Sequence, residues 1–256
     1  MRILMLNPNM TEAMTDRLVE TAARVASPGT VLSRATAPRG FPYISSRAEA
    51  QIAGAITLEM LSERQGQFDA AIIAAFGDPG LVAARELFDQ PVIGMSEAAM
   101  LTSLMLGKRF GIVSFAARMA PWYEECVEMH GLMGRCAGVF CLDEPFTSVA
   151  DVASEKSEAL VGLSTKAIAG GADVIILAGA PLAGLAAEVA HLVPVPLVDQ
   201  AQAALKQAET LAALKPHKAR AGRFQRPPAK PSHGLARVLA ARISHDDDPS
   251  SGGKHG

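Results

Sequence analysis

Short apolar runs alternate with longer segments of helical periodicity along this chain. The runs are continuous in apolar residues, as expected for strands that are covered on both faces. Regular alternation of such strands with helices predicts a parallel α/β architecture. The predicted strands are Ile3–Leu6, Val31–Arg34, Ala70–Ala74, Val92–Met95, Phe110–Ser114, Val139–Leu142, Val174–Leu177 and Leu197–Val198. The predicted helices are Thr11–Val25, Arg47–Arg64, Leu81–Phe88, Glu97–Leu106, Pro121–His130, Ser154–Ala169 and Leu182–His191.

The two halves of the chain resemble each other in sequence. The segment DAAIIAAFGDPGL begins at Asp69, and the segment DVIILAGAPLAGL begins 104 residues later, at Asp173. The same spacing matches Gly80 with Gly184 in the turn that follows each predicted strand. Such a repeat indicates two similar half-domains of about 100 residues. Chance similarity between two βαβ units rich in Ala, Ile and Leu is the alternative.

The composition is that of a globular protein, with 49% apolar and 20% charged residues. No apolar stretch reaches the roughly 18 residues that a membrane span needs, and the apolar N-terminal run ends at Asn7, too early for a signal peptide. The three cysteines, Cys126, Cys136 and Cys141, lack paired metal-ligand spacing such as CxxC. We therefore expect a protein of the reducing cytoplasm without a metal or cofactor.

The charge of the chain changes sign at residue 215. Nine Lys and Arg residues stand against three Asp from Lys215 onward, a balance of +6, which leaves about −8 for residues 1–214. Blocks of one sign usually mark tails or docking segments. The net charge of −2 gives no reason to expect a nucleic-acid partner.

Residues 215–243 are predicted to form a basic, proline-rich extension. Prolines within Lys215–Ser232 forbid a regular helix there, and a short amphipathic helix is predicted at Leu235–Ile243. Opposite charge is expected to draw the extension onto the α/β body, and a solvated basic tail is the alternative. The predicted apolar anchors are Phe224, Leu235 and Leu239. Residues 244–256 have low complexity and are predicted to be disordered.

Five motifs occur in order within residues 1–214: Asn7-Pro-Asn-Met-Thr11, Phe76-Gly-Asp-Pro-Gly-Leu81, Pro91–Ala99, Arg109–Ser114 and Pro196–Asp199. They resemble the aspartate/glutamate/hydantoin racemase superfamily, and within it the hydantoin and allantoin racemases. The resemblance implies an α/β fold of two pseudo-symmetric parallel-sheet half-domains with the active site in the cleft between them. Residues 1–98 with about 200–214 would form the first half-domain, and residues 99–199 the second.

The sequence departs from this family at the two positions that carry its chemistry. Family members have one cysteine directly before the Phe-Gly-Asp-Pro run and another at the equivalent turn of the second half. Here those positions are Ala75 and Gly179, neither of which can take or give a proton. Racemisation beside a carbonyl needs an acid–base group on each face of the carbon, and thiols with a lowered pKa suit that role. The two-thiol mechanism is therefore not available to this chain.

Backbone N–H groups are expected to bind an anionic or carbonyl oxygen where each half passes from a strand into a helix. The predicted substrate-binding residues at the two turns are Ala75, Phe76, Gly77, Gly179, Ala180 and Pro181. Pro181 itself has no N–H to donate.

Three further substrate-binding candidates lie in loops. Asn9 and Thr11 would present an amide and a hydroxyl after the first strand, although Asn9 shaping a turn and Thr11 capping a helix explain them equally well. Tyr43 could cover the cleft or supply a phenol, or could simply pack.

Asp78 is the carboxylate nearest the first missing thiol, and we consider it as the catalytic base. The alternative is that it caps the helix beginning at Leu81. Glu97 is a further substrate-binding candidate, for which helix-terminus electrostatics is the alternative. Cys126 is interpreted as a small buried hydrophobe away from both turns, and His130 as a helix C-terminal cap.

Three functions remain open. The family implies an isomerase. Its expected partners are a small carboxylate, amino-acid derivative or cyclic ureide and a second copy of the chain. The same cleft could instead serve a decarboxylase, hydrolase or lyase, or bind its ligand without catalysis, because fold does not fix function.

Overall fold

Two parallel four-stranded sheets organise the structure, a computed structural model that describes residues 1–145, 148–149 and 151–247. The first sheet has the strand order β2-β1-β3-β4, and the second has the order β6-β5-β7-β8. The strands are β1 Arg2–Asn7, β2 Val31–Thr36, β3 Ala70–Ile73, β4 Val92–Gly94, β5 Phe110–Ser114, β6 Cys136–Cys141, β7 Val174–Leu177 and β8 Leu197–Asp199. Because both sheets repeat one topology, the predicted pseudo-symmetric α/β fold is confirmed.

Ten α-helices surround the sheets in the described part of the chain. They are α1 Glu12–Ala23, α2 Arg47–Glu63, α3 Leu81–Leu87, α4 Met95–Leu104, α5 Ala120–Met129, α6 Val152–Glu155, α7 Ser157–Ala169, α8 Leu185–Val189, α9 Gln200–Leu214 and α10 Arg237–Ser244. The predicted helix Ser154–Ala169 is thus divided into α6 and α7, and α8 starts after a short 3-10 turn, Ala180–Leu182. Within the described residues, no helix is both long and apolar enough to cross a membrane.

The inner strands of each sheet carry the core. Every residue of β3, β5 and β7 is buried, and only Arg2 of β1 is exposed. Burial on both faces explains why these strands are continuous apolar runs in the sequence. The edge strands β2 and β6 are partly exposed and carry more mixed sequences.

Helix α9 returns the chain to the first sheet after the second sheet is complete. Four of its alanines and Leu205 share a buried cluster with Ile3 and Ile72 of that sheet. Near its C-terminal end, the Glu209 carboxylate accepts hydrogen bonds from Ser27 N–H at 2.7 Å and Thr30 Oγ1 at 2.6 Å, in the loop before β2. These contacts support our proposal that residues 200–214 belong with the first half.

The C-terminal extension lies on the first half. Leu239 of α10 is 4% exposed and packs into the cluster formed by α2, α3 and the first sheet, whereas Phe224 and Leu235 are each 44% exposed. The buried Arg242 guanidinium donates to the Leu87 carbonyl at 2.8 Å, which closes the C-terminal end of α3. Leu239 and Arg242 therefore hold the extension in place.

The predicted disordered tail, residues 244–256, is described only as far as residue 247. Asp247 pairs there with Arg226 at 2.6 Å and with Arg242 at 2.9 Å. The disorder of the tail stays a prediction. Residues 248–256 lie outside the described residues.

Candidate functional site

A cavity of about 260 Å³ lies where the carboxyl ends of β3 and β7 approach each other. It is lined by Asn9, Thr11, Ala13, Met14, Arg17, Pro42, Tyr43, Ile44, Ala75, Phe76, Met119, Tyr123, Val149, Gly179, Ala180 and Pro181. Of the residues predicted for the site, only Gly77, Asp78 and Glu97 are missing from this lining. Ligands of parallel α/β folds bind at the carboxyl ends of strands, so we call this cavity the ligand pocket.

Ala75 and Gly179 occupy equivalent positions, each two residues beyond the end of its strand, and both line the ligand pocket. This agrees with the sequence repeat, which predicted that the two positions share one cleft. Gly179 has a φ of +106°, and a Cβ built on it would lie 2.8 Å from Phe115 Cε1. The ring of Phe115 therefore occupies the space that a side chain at position 179 would need.

Two tyrosines form the aromatic wall of the ligand pocket. Tyr43 donates its hydroxyl to Met119 Sδ at 2.6 Å, and the Tyr123 ring lies 4.7 Å from the ring of Phe76 between centroids. Burial raises the pKa of both phenols well above the ordinary value of 10. Both hydroxyls therefore keep their protons at neutral pH, and neither tyrosine is a base there.

Asn9 and Thr11 shape the loop that closes one side of the pocket. Asn9 Oδ1 accepts from Asn7 Nδ2 at 3.0 Å and from the Thr11 N–H at 2.9 Å. Thr11 occupies the N-cap position of α1, but its side chain makes no capping bond and donates instead to the Pro42 carbonyl at 2.7 Å. The amide and hydroxyl therefore fix the loops beside the pocket, which supports the turn-forming interpretation of Asn9.

Arg17 is the charged residue of the pocket wall. Its Nη1 donates to the Pro181 carbonyl at 2.8 Å, which links α1 of the first half to the strand-end turn of the second. Sequence reasoning missed this residue, because no motif connects a position on α1 with a turn 164 residues later. The described residues lining the pocket include no Asp or Glu.

Gly77 and Asp78 turn away from the ligand pocket. The N–H of Gly77 donates to Ser96 Oγ at 3.1 Å and is not available to a ligand. Gly77 has a φ of +102°, and a Cβ there would lie 2.3 Å from Trp122, so packing explains the glycine. Prediction of Gly77 as a donor to substrate does not match this geometry.

The carboxylate of Asp78 caps a helix, but not the helix that we considered. Its Oδ1 accepts from Ser96 N–H and its Oδ2 from Glu97 N–H, each at 2.9 Å, so it caps α4 rather than the helix at Leu81. The residue is 3% exposed and does not line the ligand pocket. This placement gives no support to Asp78 as a base acting on a ligand in that pocket.

Glu97 also lies outside the ligand pocket, in a cluster of charged side chains with Arg85 and His130. It pairs with Arg85, and its Oε1 lies 3.4 Å from His130 Nδ1. Burial opposes ionisation of Glu97, but Arg85 and His130 outweigh it and hold the pKa at about 2. Burial alone would lower the pKa of His130, but Asp78, Cys126 and Glu97 raise it from 6.5 to about 11.

Cys126 lies closer to the first strand-end turn than its sequence position indicated. Its Sγ is 3.3 Å from Ser96 Oγ, the group that binds the N–H of Gly77. His130 is likewise not a simple helix cap, because its ring reaches Asp78 and Glu97. Spacing by four residues on a predicted helix was the signal that could have paired Cys126 with His130.

The chemistry that the ligand pocket offers is limited by its titratable groups. Within the described lining these are Arg17, Tyr43 and Tyr123, and burial raises the pKa of the two tyrosines, which keep their protons near neutral pH. The backbone N–H groups of Phe76 and Ala180 follow the two strand-end positions and do not donate to any described residue. The pocket can therefore bind a carbonyl or anionic oxygen, but its described lining places no Asp, Glu, His or Cys beside either strand end.

Comparison with known proteins identifies the class to which this fold and pocket belong. A family model described as Asp/Glu/hydantoin racemase matches residues 3–208, and the chain belongs to that family. It is 33% identical to a hydantoin racemase of Paenarthrobacter aurescens over 233 residues, which are 90% of this chain and 99% of that protein. It is 32% identical to a hydantoin racemase of Rhizobium meliloti over 82% of this chain and 88% of that protein.

A solved structure shows the same architecture. The allantoin racemase from Klebsiella pneumoniae superposes with a TM-score of 0.87 at 33% sequence identity, over 93% of this chain and 98% of that chain. The predicted membership of the hydantoin and allantoin racemase group is thereby confirmed.

Proposed function

We propose that the ligand pocket binds a small cyclic ureide of the hydantoin class and does not racemise it by acid–base transfer from two sides. The observation that carries the proposal is the pair Ala75 and Gly179 at the two strand ends, with Phe115 filling the space beside Gly179. A racemase needs a proton-transferring group on each face of the reacting carbon. Here both positions lack one, while the rest of the pocket remains formed.

The charges of the pocket favour a ureide over a free amino acid. An amino acid brings an ammonium group, and a buried cation needs a carboxylate or several acceptors to replace its water. None of the described lining residues is Asp or Glu, and the one formal charge is that of Arg17. A hydantoin ring carries amide N–H and carbonyl groups instead, which suit the free N–H groups of Phe76 and Ala180 and the Arg17 guanidinium.

Calorimetric titration with 5-substituted hydantoins and with allantoin tests the binding. We expect binding of at least one of them, and a loss of at least tenfold in affinity for Arg17→Gln. Arg24→Gln is the matched control, because Arg24 lies on the same side of the molecule but outside the ligand pocket. No binding at millimolar ligand would refute the proposed ligand class.

Exchange of the C5 proton into deuterated water tests the absence of catalysis. NMR should show the same exchange rate with and without protein, measured at one pH and buffer concentration because hydantoins also exchange spontaneously. Faster exchange in the presence of the protein would refute the absence of catalysis. It would show that the protein is an isomerase in which another group transfers the proton.

We infer a cytoplasmic location, supported by three cysteines that are all free thiols. A homo-oligomer also stays a prediction, which analytical ultracentrifugation of the full chain would test.

A further inference from the structure

Three metal-binding residue types converge behind the first strand-end turn. Asp78 comes from the turn after β3, Cys126 lies on α5, and His130 is the C-cap residue of α5, one helical turn beyond Cys126. One ligand atom of each residue lies within 4.8 Å of the others. This cluster is separate from the ligand pocket, whose lining includes none of the three residues.

The imidazole of His130 is aimed into the cluster, where its Nε2 lies near Asp78 without forming a hydrogen bond of normal geometry. Its side chain is 9% exposed, and Nε2 lies 3.4 Å from Asp78 Oδ2. Nε2 is nevertheless fully buried without a hydrogen bond to any described residue. Buried polar atoms are nearly always satisfied, so an unsatisfied one needs an explanation, of which an ion is one.

We propose that Asp78, Cys126 and His130 bind a divalent transition-metal ion of the Zn²⁺ class. Thiolate sulfur, imidazole nitrogen and carboxylate oxygen are the donors that Zn²⁺ takes in proteins, and two donors four residues apart on a helix face the same side. Each Asp78 oxygen accepts one backbone N–H from α4 and retains lone pairs for a metal.

The surroundings complete the site. The other ring nitrogen of His130, Nδ1, lies 3.4 Å from Glu97 Oε1, and Glu97 is held by Arg85. A carboxylate behind a metal-binding histidine orients the ring and raises its basicity. Asp78 and Cys126 also border a second cavity, of about 460 Å³, which provides an entry path and room for a water molecule as fourth ligand.

A metal ion at this site would affect the ligand pocket indirectly, by joining two elements that form its walls. Cys126 lies on α5 and His130 at its C-cap, and this helix supplies Tyr123 to the pocket wall. Asp78 follows Ala75 and Phe76 in the turn after β3. The ion would therefore crosslink one wall from each half. Its role would be structural or regulatory, because it does not reach the ligand.

Cobalt(II) is the probe that tests this site in the full-length protein after dialysis against a chelator. We expect one Co²⁺ per chain, with the intense near-ultraviolet absorption of a thiolate-to-metal transition and the visible bands of a four-coordinate ion. Free Zn²⁺ at roughly a hundred times its Kd should raise Tm by about 5–10 °C. Cys126→Ser and His130→Gln should each weaken binding at least tenfold.

Cys141→Ser is the matched control, because Cys141 is a free, half-buried thiol outside the cluster. It should keep the full cobalt spectrum, and circular dichroism should show that all variants are folded. The proposal fails if Co²⁺ does not bind stoichiometrically, if it binds without the thiolate band, or if the band survives in Cys126→Ser.

Discussion

Replacement of Gly179 by cysteine would restore a thiol to the second strand end, and we expect it to destabilise the protein. The φ of +106° is unfavourable for any residue with a Cβ, at about 1–3 kcal/mol. The new Cβ would also lie 2.8 Å from Phe115 Cε1, and overpacking of a tight core costs about 1–3 kcal/mol. The two effects together predict a loss of about 2–6 kcal/mol in the free energy of unfolding.

A double-mutant cycle with Phe115→Ala separates the two effects. The single change Phe115→Ala should cost about 3–5 kcal/mol because the ring is fully buried. In that background Gly179→Cys should lose only the backbone component, so the coupling free energy should be about 1–3 kcal/mol in favour of the double variant. Ala75→Cys is the control, because Ala75 has an ordinary φ and faces the open pocket, and should change stability by less than about 1 kcal/mol.

Urea unfolding monitored by circular dichroism measures all of these free energies. A coupling below about 0.5 kcal/mol would show that Phe115 does not occupy the space beside Gly179. A neutral effect of Gly179→Cys alone would refute both the steric and the backbone argument, and the second strand end would then be open to a thiol.

Two further predictions concern the packing of α9 and α10 on the first half. The Glu209 side chain is 6% exposed. Burial raises the pKa of Glu209, but hydrogen bonds from Lys206 and from the loop at residues 27–30 outweigh burial and hold the pKa at about 2. Because this pKa is depressed, the stabilisation is present above the unfolded value near 4.5 and is lost as the pH falls toward 2. Glu209→Gln should therefore lower the free energy of unfolding by about 1–2 kcal/mol at pH 7, and urea unfolding should show the difference narrowing near pH 2. Leu239→Ala should cost about 2–5 kcal/mol because the side chain is buried, whereas Leu235→Ala, at an exposed position, should stay within about 0.5 kcal/mol in the same assay.

The fold could be predicted well from the sequence because its inner strands have a strong signal. Residues of β3, β5 and β7 are buried on both faces, and each appears as an uninterrupted apolar run with a boundary error of at most one residue. The sequence predicts the edge strand β6 only from Val139, three residues late, because its first residues, Cys136–Gly138, are half-exposed and not strongly apolar. Half-buried edges give a weaker pattern than covered strands.

Site residues could be predicted from the sequence only where they belong to a local motif. The strand-end turns and the loop after β1 are local motifs, so Asn9, Ala75 and Gly179 could be placed at one pocket from their order along the chain. Arg17 and Phe115 reach the pocket through tertiary packing, for which no local spacing is diagnostic. The direction of the Asp78 side chain was likewise undetermined, because a carboxylate after a strand can cap either of two neighbouring helices.

The packing of α9 on the first sheet affects how the protein folds during its synthesis. Helix α9 packs on one face of the first sheet beside α1 and α4, so the buried cluster around Ile3 and Ile72 stays incomplete until residues 200–214 have been synthesised. The N-terminal half is therefore the last to be completed, although it leaves the ribosome first. During synthesis the part of this face that α9 will cover is an apolar surface at which chaperones can bind or chains can aggregate. Contacts between residues nearly 200 positions apart also make folding slow.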